Sequence, residues 1–241
     1  MSTVLPYKDK ETGKKEQVAE MFNNISGRYD FLNHFLSLGI DILWRKKAVK
    51  ILKTYKPENL LDIATGTGDF AIEALAAGPK KIIGVDISKG MLEVGKVKIK
   101  EKGLEDIISL RLGDSENLEF ENESFDAVIV AFGVRNFQNL SKGLEEIHRV
   151  LKKNGVLIVL EFSQPTLFPF KQLYQFYFRY ILPFIGKIIS KDNSAYTYLH
   201  ESVQAFPNGK AFTNLLDSIN YKNTKCKPLT LGISSIYIGE K

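Results

Sequence analysis

Between residues 59 and 162 the chain takes on a strict rhythm. Apolar runs of strand length (NLLDIA, KIIGVDI, IISLRLGD, FDAVIVAF and VLIVLEF) alternate with stretches whose apolar residues recur every three to four positions. A strand that returns parallel to its predecessor must cross over, usually through a helix. Right-handed crossovers leave all the strand C-termini along one edge. The expected fold is therefore α/β, a mostly parallel doubly wound sheet with helices on both faces. Helices are expected from Asp69, from Ser88 as N-cap, and over 140–151, where Leu140, Leu144, Ile147 and Leu151 share one stripe. Farther on, a helix is expected near 210–219. Two short strands, YKNTKCKPL and GISSIYIGE, then add a C-terminal antiparallel hairpin.

Residues 1–16 are polar and read as a loose arm, and 17–56 carry helical spacing. The organisation expected is an N-terminal arm and helical cap over 1–56 and a ligand-binding domain over 57–241. The latter carries an aromatic helical insertion at 164–205, and the whole forms one structural domain. With 44% hydrophobic and 25% charged residues, the 241-residue chain can bury a sizeable core and stay soluble. A single cysteine, Cys226, rules out an internal disulfide and suits a reducing cytoplasm. No signal-peptide pattern, no run long enough to span a membrane and no Cys/His cluster for a metal are read. A net charge of +5 permits nucleic acid, an anionic surface or an acidic substrate, and selects none of them.

The first strand runs into Asp62-Ile63-Ala64-Thr65-Gly66-Thr67-Gly68-Asp69. Gly66 and Gly68 permit a tight turn with a ligand close to the backbone, and Asp86, ending the second strand, can accept both hydroxyls of a ribose. Gly66-x-Gly68-x-x-Ala71 formally fits a dinucleotide pattern, but a pyrophosphate needs an uncompensated positive helix N-terminus. Asp62 and Asp69 flank that place and would repel it. S-adenosyl-L-methionine, with a sulfonium and an ammonium and no phosphate, suits two carboxylates. Asp114-Ser115, after the third strand, supplies a third ligand point near the adenine edge.

At that point the chain resembles the class I S-adenosylmethionine-dependent methyltransferases, whose fold is Rossmann-like. More narrowly, it resembles the menaquinone/ubiquinone biosynthesis C-methyltransferase family. The resemblance rests on Tyr29-Asp30-x-Leu32-Asn33-x-x-Leu36-Ser37 with Trp44, on Phe132-Gly133-Val134-Arg135-Asn136, and on Arg149-Val150-Leu151-Lys152-x-x-Gly155 leading to Glu161-Phe162-Ser163. It implies methyl transfer to a ring carbon of a lipophilic prenylated quinol, reduced demethylmenaquinone in menaquinone synthesis. Cofactor contacts carry over to Thr67, Asp86, Asp114 and Ser115. Ala131 stands where the family usually has a serine contact, and Asp41 where relatives often have histidine.

Arg135 and Asn136 are the candidate catalytic residues, because they leave the fourth strand at the ligand edge. The competing reading of Arg135 is an ion pair with Asp30 or Glu161. Tyr29, Asn33, Tyr174, Phe178 and Tyr198 are candidate substrate-pocket residues. The segment 168–184 packs eight of the chain's 27 aromatic residues into seventeen positions. Leu173, Phe176, Tyr177, Tyr180, Ile181 and Phe184 form one stripe, expected to pack on the sheet. Tyr174, Phe178 and Leu182 form another, expected to face the quinol or a membrane surface. The alternative is a helix buried on both sides. Peripheral membrane contact and a homodimer are both compatible with this segment. Arg45, Lys46, Lys47, Lys50 and Lys53 form a basic run on one helix, read as a solvated face or a contact for anionic lipid. A benzoquinol acceptor of the ubiquinone pathway is the nearest alternative. A nucleic-acid methyltransferase is disfavoured, because the fourth strand ends without an Asp/Asn-Pro-Pro-aromatic motif, and no nucleic-acid partner is expected. A nicotinamide oxidoreductase and a non-enzymatic binding protein complete the alternatives.

Overall fold

The computed structural model describes residues 4–30, 37, 39–166, 168–176 and 194–241. Helix α1 (Lys14–Ile25) and helix α2 (Ile40–Leu52) precede the alternating part. Then come β1 (Asn59–Ile63), α3 (Asp69–Ala74), β2 (Lys81–Asp86), α4 (Lys89–Glu101), β3 (Ile108–Leu112), β4 (Phe125–Ala131), α5 (Leu140–Val150) and β5 (Leu151–Phe162). Helices α6 (Phe170–Phe176), α7 (Ser194–Ala205) and α8 (Lys210–Ser218) follow, and β6 (Lys222–Leu229) and β7 (Ser234–Glu240) close the chain.

The seven strands form one sheet in the order β3-β2-β1-β4-β5-β7-β6. The first five run parallel, while β7 pairs antiparallel with both β5 and β6. Alternation along the strands feeds two cores. Leu61, Ile63, Val128, Val130, Leu157 and Val159 face one way, onto Leu144 and Ile147 of α5 and Phe212 and Leu216 of α8. Leu60, Ala127, Ile129, Val156 and Ile158 face the other way, with Trp44, Ala48 and Leu52 of α2 and Phe70 of α3. The chain therefore needs apolar residues at most positions of β1 and β4 and at 156–160 of β5, which is why these runs stand out in the sequence. Strand order reverses between β1 and β4. The crevice beyond their C-terminal ends is where open α/β sheets bind ligands.

Ser88 caps α4 as its position predicts, accepting from the Met91 backbone N–H at 3.2 Å. Leu151 extends the α5 stripe in sequence but begins β5, because its backbone is extended and it pairs with Phe125. The arm is more ordered than its polarity suggests. Gln17 is fully buried, accepts from the Tyr7 N–H at 2.9 Å and donates to the carbonyls of Lys10 and Thr12. One buried amide thereby folds residues 7–12 back against α1.

Candidate active site

A cleft opens at the switch point, walled on its far side by α1 and the turn after it. Its floor is the loop after β1, where Ala64, Gly66 and Gly68 all have left-handed backbones, at φ 53°, 57° and 83°. Gly66 faces the cleft: a Cβ there would lie 3.9 Å from the Tyr29 ring and narrow the space between them. The Gly66 N–H donates to Asp86 Oδ2 and the Ser88 N–H to Asp86 Oδ1, both at 2.8 Å. Burial pushes the Asp86 carboxyl above the usual range, and these backbone donors oppose the shift. Each of its oxygens keeps lone-pair capacity for a ligand hydroxyl.

Asp114 and Ser115 reach the same cleft from the loop after β3. Asp114 Oδ1 accepts from the Glu116 N–H, and Oδ2 accepts from Lys15 Nζ at 2.6 Å. Glu116, itself buried, accepts from the N–H groups of Gln138 and Asn139 at 2.7 and 2.9 Å and so ties the third-strand loop to the fourth-strand loop. The charged residues on the wall are Asp86, Asp114, Glu116 and Lys15, an acidic set overall. That set fits S-adenosylmethionine: carboxylate acceptors for hydroxyl and ammonium groups, and no cluster of cations for a diphosphate.

Of the residues singled out in the sequence, Gly66, Asp86, Asp114, Ser115, Tyr29 and Asn136 line the cleft together. Asp62, Thr67 and Gly68 stand behind that wall. Asp62 is fully buried and accepts the Thr65 hydroxyl at 2.6 Å; burial pushes its carboxyl up to about 7. The Thr67 hydroxyl donates to Asp30 Oδ1 at 2.6 Å and accepts from Lys98 Nζ at 3.1 Å. Asn33 and Phe178 lie outside the described residues, as do residues 177–184 of the aromatic stripes.

The reading of Asp69 needs correction. It does not present a bare charge to a ligand: Lys98 Nζ sits 2.6 Å from Oδ1, and Arg45 lies 3.7 Å from Oδ2. Its charge is compensated within the fold, so the case against a diphosphate rests on the cleft wall instead. The basic run on α2 divides as well. Lys46, Lys47, Lys50 and Lys53 are exposed, whereas Arg45 is buried and pairs with Asp41 at 2.8 Å. In the insertion, Leu173 and Phe176 are 61% and 56% exposed, so the described part of their stripe does not pack on the sheet.

Arg135 lies next to the cleft. Its Nη1 donates to Glu161 Oε1 at 2.8 Å and to the Phe132 carbonyl, and its guanidinium lies 5.5 Å from the Phe162 ring centre. The ion-pair reading of Arg135 is therefore correct for one edge of the group. Its Nε, sealed from solvent, has no hydrogen-bond partner among the described residues. Asn136 donates to the Phe132 carbonyl at 3.3 Å and accepts from the Tyr198 hydroxyl at 3.1 Å. Burial pushes the phenols of Tyr174 and Tyr198 up, with Arg135 opposing, so both remain O–H donors at neutral pH.

Two lysines in the supposed arm escaped the sequence reading. Lys15 is the cation on Asp114. Lys14 Nζ donates to the carbonyls of Arg135 and Phe137, each at 2.9 Å, and burial lowers it to about 8, with Arg135 adding to the shift. Their only signal was a pair of lysines ahead of an amphipathic helix, which reads as a solvated end.

A parallel sheet with a C-terminal antiparallel hairpin, and an acidic cleft at its switch point, define a class I S-adenosylmethionine-dependent methyltransferase. A crystal structure of a SAM-dependent methyltransferase from Thermotoga maritima shares the fold, with a TM-score of 0.63 at 21% identity, covering 92% of this chain and 99% of that one. The chain belongs to the ubiE/COQ5 methyltransferase family, whose pattern matches residues 10–241. Demethylmenaquinone methyltransferase of Bacteroides fragilis is 46% identical over 239 residues, 99% of this chain and 97% of the relative. The ubiquinone/menaquinone biosynthesis C-methyltransferase UbiE of Geotalea uraniireducens is 46% identical over 234 residues, 96% of this chain and 99% of the relative.

Proposed function

We propose that this chain methylates a ring carbon of a prenylated quinol, with demethylmenaquinol as the acceptor and menaquinol as the product. S-adenosylmethionine, when bound, supplies an electrophilic methyl group on a sulfonium. Asp86 would hold its ribose, and Asp114 and Ser115 its adenine edge, with Tyr29 and Gly66 bounding the space between.

The observation that carries the reading is the Arg135 side chain. It is 8% exposed, already paired along one edge with Glu161, and retains a buried N–H that no described residue accepts. A buried donor without a partner is costly, and an acceptor oxygen at this point would relieve that cost. A quinol carbon becomes nucleophilic as its neighbouring hydroxyl gives up a proton. A guanidinium cannot take that proton, so Arg135 serves by favouring the phenolate, directly or through a water that receives the proton. Asn136, fixed between Tyr198 and the Phe132 carbonyl, holds the same edge of the pocket. Orientation and exclusion of water supply the rest of the rate enhancement.

The name of the Bacteroides fragilis relative, demethylmenaquinone methyltransferase, supports the menaquinone precursor, while that of the Geotalea uraniireducens relative covers both pathways. The decisive comparison is turnover on demethylmenaquinol against the corresponding benzoquinol, with calorimetric binding of S-adenosylmethionine against NAD. Failure to bind S-adenosylmethionine, or turnover on the benzoquinol alone, would contradict the proposal.

Peripheral contact with the membrane is part of the same reading. Phe168, Phe170, Leu173 and Phe176 are 80%, 39%, 61% and 56% exposed around α6, an apolar surface suited to a bilayer interface where such a quinol resides. No described helix is long and apolar enough to cross a membrane.

A further inference from the structure

Phe132 is a bulky residue in a conformation that bulky residues avoid. Its φ is 56°, in the left-handed region, and so is that of Ala64, at 53°, one strand away at the end of β1. The two strand ends approach so closely that a Cβ on Gly133 would sit 2.5 Å from the Ala64 methyl. The Phe132 N–H donates to the Leu160 carbonyl at 2.7 Å, and its own carbonyl accepts from Arg135 and from Asn136. Backbone strain of this kind persists only where the surroundings over-determine it, and it concentrates at ligand sites.

Phe132 stands between the cofactor cleft and an aromatic cluster. One face of the residue lines the cofactor cleft. The ring also packs at 4.5 Å between centres on Phe162, and Trp44 lies 6.2 Å from each of the two. The guanidinium of Arg135 lies over the Phe162 ring, 5.5 Å from its centre. Phe132 and Phe162 are only half-buried, so this aromatic wall still has surface to offer.

We propose that Phe132 is the specificity-determining residue for the acceptor: the platform on which a planar, hydroxylated aromatic ring lies, between the cofactor cleft and Arg135. This rests on the methyltransferase reading above. The strained backbone sets where the platform stands, and the hydrogen bonds from Arg135 and Asn136 that maintain it couple the platform to the residues addressing the acceptor's oxygen. Stacking on an aromatic face selects for a flat ring, whereas an aliphatic side chain there would fill space without that preference.

The test is a calorimetric titration of the full chain, saturated with S-adenosylhomocysteine, with 1,4-dihydroxynaphthalene kept reduced under nitrogen. Quenching of Trp44, the only tryptophan, gives a second readout. Phe132→Ala is expected to weaken ring binding about tenfold or more, and Phe132→Leu several-fold, while Phe132→Tyr stays near wild type. Each variant is titrated at an S-adenosylhomocysteine concentration that saturates it, and its circular dichroism melt shows that the fold survives. Ring binding by Phe132→Leu and Phe132→Ala as tight as wild type would overturn the platform while leaving the function intact. A wild-type protein that neither binds the ring nor methylates demethylmenaquinol would overturn the function itself.

Discussion

Arg135 and Glu161 form an ion pair of 2.8 Å in which the two side chains are 8% and 0% exposed. Burial pushes the Glu161 carboxyl up and the guanidinium opposes it. Removing either partner leaves the other as an uncompensated buried charge, so Arg135→Met and Glu161→Met should each cost about 3–5 kcal/mol in stability. The double variant, with neither charge, is expected to regain most of that loss. Its turnover is not expected to return, because the N–H proposed to address the acceptor is gone. Denaturant melts together with kcat on all three variants separate the two roles. A stable double variant with near wild-type kcat would reduce Arg135 to a structural residue.

Thr67 offers a direct contrast between a resemblance and a geometry. The resemblance makes it a cofactor contact, while its hydroxyl is held by Asp30 and Lys98. If the hydroxyl acts through Asp30, which follows Tyr29 on the cleft wall, Thr67→Val and Asp30→Asn should each weaken S-adenosylmethionine binding modestly. The double variant should then be little worse than either alone. Fully additive losses in a calorimetric double-mutant cycle would return Thr67 to the cofactor.

Asp62 gives a pH dependence of definite sign. Its folded pKa, about 7, lies above the value of an unfolded aspartate. The native state therefore holds this proton more tightly, and stability falls as pH rises from about 4 to about 7, then levels off. Asp62→Asn keeps an acceptor for the Thr65 hydroxyl and removes the titration. Its stability relative to wild type should improve by on the order of 3 kcal/mol between pH 4 and pH 8. Parallel stability curves for the two proteins across that range would refute the assignment.

The exposed apolar surface around α6 predicts a surface-binding phenotype. Phe168→Ser with Leu173→Ser should lower co-sedimentation with vesicles of mixed zwitterionic and anionic lipid by several-fold. Turnover on a short-tailed, detergent-dispersed quinol should stay within about twofold, since neither residue lines the cleft. Unchanged sedimentation, accompanied by a concentration-dependent dimer in wild type alone, would assign the patch to self-association.

The parts of this molecule written locally were legible in its sequence. Strand runs buried on both faces must be continuously apolar, so β1, β4 and β5 announced themselves. Gly66 follows β1 and Asp86 ends β2, the C-terminal ends of two successive parallel strands, so their meeting was readable, as was the Ser88 cap. Asp69 misled because ion pairing is tertiary: nothing local to it reveals Lys98 on α4 or Arg45 on α2. Lys14 and Lys15 looked like a solvated helix start because their acceptors lie about a hundred residues away. The left-handed turn of Phe132 was invisible for a related reason. Phenylalanine has no preference for that conformation, and the closeness of the next residue, Gly133, to Ala64, where a Cβ would sit 2.5 Å from the Ala64 methyl, is tertiary. Leu173 and Phe176 share a helical stripe, but periodicity alone does not say whether a stripe meets a core or a solvent boundary.

The central claim is transfer of a methyl group to a quinol ring carbon, and one measurement bears on it most directly. The protein is incubated with demethylmenaquinol under reducing conditions and with S-adenosylmethionine whose methyl group is fully deuterated, and the lipid product is fragmented by mass spectrometry. The expected result is a single labelled methyl retained on the naphthoquinone ring fragment, formed by the wild-type protein and lost in Arg135→Met with Glu161→Met. Label on an oxygen, label on the prenyl tail, or no labelled lipid at all would contradict it.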